Sequence, residues 1–244
     1  MPSSSPAEPA EDALEHELKF VFPAARGAEV LARLSALTLP DPGHPANVVA
    51  SIYYDTPALD SLYEKIDSHL AKVKYRLRWY EEPGVGAGDE PGFLEVKRRF
   101  GTRRAKRRTA VPLTASRLAG SSLLDPALAA LPRELWRIGV PPPPGLMPCV
   151  ALRYERHRFV DPAGPTRLNL DRGIVLAASD PRRLPPGPRA PLPVAVLEVK
   201  NREGRLPRRL AALLPPGWRL VSLSKYAVCF LAARGNRQLL PEAS

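Results

Sequence analysis

Phe93-Leu94-Glu95-Val96-Lys97 recurs far along the chain as Val196-Leu197-Glu198-Val199-Lys200. Both segments alternate large apolar or β-branched residues with charged ones at period two, the pattern of a β-strand. On a strand, Glu95 and Lys97 share one face, as do Glu198 and Lys200, and the opposite face is apolar. An amphipathic strand with a wetted outer face accounts for either copy alone. It does not account for a carboxylate followed by an ammonium on the polar face both times.

The neighbouring segments carry more charge. Lys72-Val73-Lys74-Tyr75-Arg76-Leu77-Arg78-Trp79-Tyr80 alternates cation with apolar residue for four cycles, so Lys72, Lys74, Arg76 and Arg78 project to one side. Near the start, Glu15, Glu17 and Lys19 share a face. Later strands from Leu152 to Phe159 and Thr166 to Asp171 add Arg153, Glu155, Arg156, Arg158, Asn169 and Asp171. Charged faces on this many strands fit either sheets with wet outer surfaces or a barrel with a polar lumen. Period two does not choose between them. In the second case the lumen is basic with a few carboxylates, which suits a phosphate polyanion and a hard divalent cation.

The chain of 244 residues has ordinary hydrophobic (44%) and charged (25%) fractions for a globular protein. Its 36 Lys and Arg against 25 Asp and Glu give a net charge of +11, which predicts an anionic partner. Two cysteines, Cys149 and Cys229, form no CxxC motif, so neither a disulfide framework nor a cysteine metal site is expected, and a reducing, cytoplasmic setting fits. Four scattered histidines make a zinc site a poor reading. No secretory leader or membrane-length apolar run is evident.

The prolines, 30 in all, cluster at Pro40–Pro45, Pro141–Pro144 and Pro181–Pro193, and read as stiff loops. Residues 1–12 read as a disordered tail, 13–235 as one domain, and 236–244 as a C-terminal tail. Glu82 to Gly92 reads as a long hairpin loop. Helices are expected over Arg26–Leu37, Pro57–Ser68, Leu123–Trp136 and Arg205–Leu214, and from Ser224 to Gly235. Ser222 or Ser224 would cap the last, placing Lys225 at a helix N-terminus that favours an anion.

Seven segments together resemble a known family. They are Glu15-His16-Glu17-Leu18-Lys19, Ser51-Ile52-Tyr53-Tyr54-Asp55-Thr56-Pro57, Tyr75-Arg76-Leu77-Arg78-Trp79-Tyr80, Phe93-Leu94-Glu95-Val96-Lys97, Leu168-Asn169-Leu170-Asp171, Leu197-Glu198-Val199-Lys200 and Ser224-Lys225-Tyr226. In this order they are similar to the VTC domain, the catalytic domain of the vacuolar transporter chaperone polyphosphate polymerase, within the triphosphate tunnel metalloenzyme (CYTH-like) superfamily. The resemblance runs from about Leu14 to Arg234. It implies an α+β fold: an antiparallel eight-stranded β-barrel, the triphosphate tunnel, with flanking helices. It also implies transfer of the γ-phosphoryl of ATP to a growing polyphosphate chain with Mn²⁺ or Mg²⁺. By the same resemblance Lys19, Arg76, Arg78, Lys97, Lys200 and Lys225 are phosphate ligands, joined by Arg156 from the Tyr-x-Arg pattern. Arg153 lies on the other face of that strand. Glu198 is the implied metal ligand, with Glu17 and Glu95 as further acidic groups. The Glu15-x-Glu17-x-Lys19 start also resembles the triphosphatase and adenylate-cyclase branch of the superfamily.

Other residues read more plainly. Lys72 and Lys74 read as rim positions. The run Arg98, Arg99, Arg103, Arg104, Lys106, Arg107 and Arg108 reads as a solvated loop. Tyr53, Tyr75, Trp79, Tyr154 and Tyr226 read as packing residues, and Asp55 as a turn or cap residue. Asp171 divides between a lumen role and a turn role. No Walker A, kinase, helix-turn-helix or RNA-recognition signature occurs, so no specific nucleic acid is expected. Three functions stay open: a polyphosphate polymerase, a triphosphate hydrolase with the same tunnel, and a non-catalytic polyanion-binding module. The partners expected are ATP or triphosphate and polyphosphate. This sequence contains no membrane span, so a membrane partner would be a separate protein.

Overall fold

Period-two alternation dominates the chain, and strands dominate the structure. The computed structural model describes residues 16–101, 103–185, 190–214 and 218–236. The expected tails at 1–12 and 237–244, along with Glu15, lie outside the described residues.

Among the described residues ten strands form one antiparallel sheet: β1 (His16–Pro23), β2 (Leu39–Pro40), β3 (Ala46–Asp55), β4 (Ala71–Glu81), β5 (Pro91–Phe100), β6 (Arg103–Thr114), β7 (Met147–Val160), β8 (Arg167–Ser179), β9 (Val194–Asn201) and β10 (Arg219–Leu220). Their order is β10-β1-β9-β8-β7-β3-β4-β5-β6, and β2 pairs β7. β2 and β10 have two residues each, so eight strands are long. The helices are α1 (Gly27–Leu37), α2 (Asp60–Ile66), α3 (Ala115–Ala119), α4 (Pro126–Ala130) and α5 (Lys225–Ala233). The fold is thus α+β, a curled antiparallel sheet with flanking helices.

Two expectations change. β6 at one end of the sheet shares no backbone ladder with β1 or the two-residue β10 at the other among the described residues. Side chains join them instead: Glu17 on β1 meets Lys97 on β5 at 3.1 Å and Arg104 on β6 at 3.2 Å. The curl is therefore closed by ion pairs, not by a continuous hydrogen-bonded barrel. The run expected as a solvated loop is strand: Arg98 and Arg99 end β5, and Arg104 to Arg108 lie in β6. Its dense charge conceals the alternation, because Arg107 on the outer face carries the same sign as Arg104, Lys106 and Arg108 on the inner one.

The convex face is apolar and covered. Ile52, Tyr54, Leu77, Trp79, Leu94 and Val96 pack with Leu118, Leu128 and Leu135 beneath α3, α4 and the 3₁₀ helix Leu131–Ile138. Phe20, Phe22, Leu168, Leu170, Leu197 and Val199 pack with Val30 and Leu34 of α1 and with Leu210 and Leu213 of a 3₁₀ helix. Burying a Leu or Phe side chain contributes roughly 1.5–3 kcal/mol, so these two layers hold the sheet's outer skin. The concave face is charged in its middle and apolar at one end. There Val21, Val49, Tyr53, Tyr154 and Val196 cluster with Leu62 of α2 and with Tyr226, Ala227 and Phe230 of α5. Val21 and Val196 lie two residues from Lys19 and Glu198 on the same strand faces. α5 thus fills one end of the curl and delivers its first residue, Lys225, to the charged layer.

Asp55 anchors this plug. Its carboxylate accepts from the backbone N–H groups of Thr56, Ser61 and Leu62, and from the Tyr226 hydroxyl at 2.7 Å. It caps α2 and ties it to α5, as a cap residue should.

Candidate functional site

Inward-facing positions on the eight long strands and the start of α5 converge on a cavity of about 320 Å³. β1 and β9 are in register with Lys19 opposite Glu198 and Glu17 opposite Lys200. β4 and β5 set Arg76 opposite Glu95 and Lys74 opposite Lys97. β7 and β8 set Arg156 opposite Asp171. Of the residues expected from the sequence, Lys19, Arg76, Arg78, Lys97, Arg156, Lys200, Lys225, Glu17 and Glu198 all line this space. Arg153 does not: it turns outward to Glu81, 2.6 Å away, which also accepts from Trp79 Nε1.

The deepest part is a compensated quartet. Arg156 donates twice to Asp171, at 2.6 and 2.7 Å, and once to Glu198 at 3.2 Å. Lys225 Nζ lies 2.6 Å from Asp171 and 3.0 Å from Glu198. Burial alone would raise the Glu198 carboxyl, but Lys225, then Arg156 and Lys19, hold it well below the usual carboxylate range. Burial would likewise lower Lys225, yet Asp171 and Glu198 raise it, so it stays charged. Ser224 caps α5, its hydroxyl accepting from the N–H of Ala227, and fixes Lys225 at the helix start.

Two other carboxylates sit higher. Glu17 meets Lys19 at 3.6 Å as well as Lys97 and Arg104. Despite burial, these cations, with Lys19 foremost, bring it down to about 2. Glu95 meets Arg76 at 2.6 Å and Lys106 at 2.5 Å, and is also lowered to about 2 against the effect of its burial, first by Arg76.

Arg78 and Lys74 are inward cations with no ion pair among the described residues. Arg78 is buried, and its donors go to neutral partners, Ser51 Oγ and Tyr154 OH, at 3.2 and 3.3 Å. A guanidinium has five donors, so it keeps spare ones for an anion. Lys74 donates to Ser224 Oγ at 2.9 Å. Burial, together with Lys19 and the nearby Lys65 and Lys97, lowers its ammonium to about 7. At these points an anion would meet donors that are not already tied to a carboxylate by an ion pair.

A second cavity of about 430 Å³ shares Glu17, Lys19, Lys74 and Lys97 with the first. It lies along the seam, lined also by Lys65 of α2, Lys72, Arg99, Arg104 and the stretch Leu220–Leu223. Lys72 is thus a rim residue as its position suggests, whereas Lys74 stands at the junction of the two spaces.

The sequence reading left out Lys74, Arg104 and Lys106 as site residues. Lys74 has the parity of Arg76, and Arg104 and Lys106 share a parity on β6, so the signal was present. It could not be separated from solvated charge without knowing that the sheet curls.

The fit of a metal rests on donor chemistry. Glu17 and Glu198 converge on one ammonium, Lys19 Nζ, at 3.6 and 3.7 Å. Two carboxylates and no sulfur or imidazole suit Mg²⁺ or Mn²⁺ completed by phosphate oxygens, in place of an all-protein cage. Among the described residues no three His, Cys, Asp or Glu side chains form such a cage. Glu95 stands apart, engaged by Arg76 and Lys106.

The family model of the VTC domain matches residues 14–121 and 143–233. No curated protein matches the sequence significantly. Among solved structures, an adenylyl cyclase-like protein of Hippeastrum, described as having a dominant triphosphatase activity, is 16% identical, with 94% of this chain and 100% of that one covered and a TM-score of 0.47. A Pyrococcus horikoshii protein is 13% identical, covering 82% and 84%, at 0.40. The Mediator head module of Schizosaccharomyces pombe includes a chain 12% identical, covering 82% and 88%, at 0.44.

Proposed function

The chain belongs to the VTC domain family, and from that premise we propose that it transfers the γ-phosphoryl of ATP to a growing polyphosphate chain inside the curled sheet. The observation that carries this reading is the cavity lined by Lys19, Lys74, Arg76, Arg78, Lys97, Arg156, Lys200 and Lys225, with Glu17 and Glu198 among them. Phosphoryl transfer needs positioning and charge stabilisation more than covalent chemistry, because the transition state spreads negative charge over the equatorial oxygens. Side chains fixed on paired strands supply both.

Arg78 and Arg76 would hold non-bridging oxygens, and Lys225 would add an ammonium at a helix N-terminus. Asp171 keeps Arg156 and Lys225 aimed and compensated when Glu198 turns to a new partner. Glu198 with Glu17 would hold a Mn²⁺ or Mg²⁺ ion, which supplies Lewis-acid neutralisation of the phosphate oxygens. The acceptor is itself an anionic phosphate, so no strong general base is required.

The seam cavity favours a polymeric product. Along β4 the inward cations run from Lys72 to Arg78, roughly 20 Å at about 3.3 Å per residue, continuing past the deep site into the second space. A triphosphate alone does not call for that extension. With water as acceptor the same site would give triphosphate hydrolysis. Incubation with ATP and Mn²⁺ separates the two: long-chain polyphosphate with ADP supports the polymerase, phosphate release without polymer supports the hydrolase, and no ATP turnover overturns both.

A further inference from the structure

The two openings of the charged space differ in chemistry. The seam opening offers Lys65, Lys72, Arg99 and Arg104 and no aromatic ring. The other is lined by Tyr80, Arg158, Phe159, Arg167, Asn169 and Asp41. Tyr80 follows Arg78 by one pleat on the same face of β4, about 7 Å further along. The Arg158 guanidinium lies over its ring, 5.7 Å from the centroid, and is held by the carbonyl of His44 at 3.1 Å. Asp41 is tied to β7 through its N–H, which donates to the Arg158 carbonyl. One of its carboxylate oxygens, Oδ1, accepts from the N–H groups of Gly43 and His44. Its Oδ2 accepts no hydrogen bond among the described residues.

A phosphate chain gains nothing from a tyrosine ring and is repelled by a carboxylate. A nucleoside gains from both, because a base stacks on a ring or a guanidinium plane and a ribose diol donates to a carboxylate. We propose that Tyr80, Arg158 and Asp41 form the nucleoside subsite, so that a nucleoside triphosphate enters from this end, γ-phosphate first, and the polyphosphate leaves through the seam. Tyr80 and Arg158 would stack with the base, and Asp41 Oδ2 would take the ribose hydroxyls. This inference rests on the proposed triphosphate-binding function and adds a direction to it.

Calorimetry on the full chain with a non-hydrolysable ATP analogue and, separately, with tripolyphosphate tests it. Wild-type protein, Tyr80→Leu, Tyr80→Phe and Asp41→Asn would be compared. The expected result is that Tyr80→Leu weakens the ATP analogue on the order of ten-fold while tripolyphosphate affinity stays within two-fold, as a rough bound. Tyr80→Phe should restore the ATP affinity, and Asp41→Asn should erase discrimination between the ribose and the 2′,3′-dideoxyribose nucleotide. Binding of tripolyphosphate also shows that each variant is folded. Equal effects of Tyr80→Leu on both ligands, or none on either, would overturn the nucleoside subsite. Failure of wild-type protein to bind tripolyphosphate at all would instead overturn the function on which it rests.

Discussion

Each inward side chain is defined by what it lacks as much as by what it touches. Lys74 lacks a carboxylate, and its lowered ammonium gives a testable pH dependence. Near pH 7 it is half protonated when the cavity is empty, and a bound polyphosphate favours the charged form. Tripolyphosphate affinity should therefore fall as pH rises from about 6 to 8, with protons taken up on binding. In Lys74→Arg that part of the dependence should vanish, since arginine stays charged; calorimetry in buffers of different ionisation enthalpy measures it. The stability effect has the opposite sense. Between about 7 and the ordinary lysine value the unfolded chain holds a proton that the native chain does not, so this group's unfavourable contribution is full below 7 and shrinks as pH rises through that window. Asp171 presents the contrasting case, a buried carboxylate holding two cations. Asp171→Asn should lower unfolding free energy by about 3–5 kcal/mol, the usual loss when one partner of a buried ion pair is removed. Chemical denaturation would read this directly, and a loss below about 1 kcal/mol would mean that Glu198 alone compensates both cations.

Elements explain why part of the site was legible in sequence and part was not. β4, β5 and β9 announce themselves because one face is apolar and the other charged, and that parity puts Arg76, Glu95 and Glu198 on the charged faces. α5 was legible from its cap and from the Ser224-Lys225-Tyr226 segment. β6 was not, because Arg104, Lys106 and Arg108 face one way while Arg107 interrupts them with the same sign. The structure gives a parity test. Arg107 donates to the Ile138 carbonyl at 2.8 Å outside the curl, whereas Lys106 reaches Glu95 inside it. Lys106→Ala should weaken tripolyphosphate binding by roughly 1.5–3 kcal/mol, the range for a charge-assisted hydrogen bond. Arg107→Ala should leave it unchanged within about 0.5 kcal/mol. Equal losses would mean that β6 acts only as a diffuse field, and raised salt would then abolish both.

At the scale of the whole molecule, the closure of the sheet was beyond the sequence. Period two fixes which face a residue takes but not whether the last strand meets the first. Here they meet through Glu17, which gathers Lys97 and Arg104 across the seam. Glu17→Gln should speed amide hydrogen exchange in β1 and β6 while the central strands β3, β7 and β8 keep their protection. Uniform loss of protection would instead make the seam part of the cooperative core. A barrel sewn shut by backbone bonds is a ring, and a long polymer can enter a ring only by one of its ends. A wall fastened by side-chain contacts to a single carboxylate has the topology of a clasp. Such a wall, unlike a ring, would open along its side if those contacts let go.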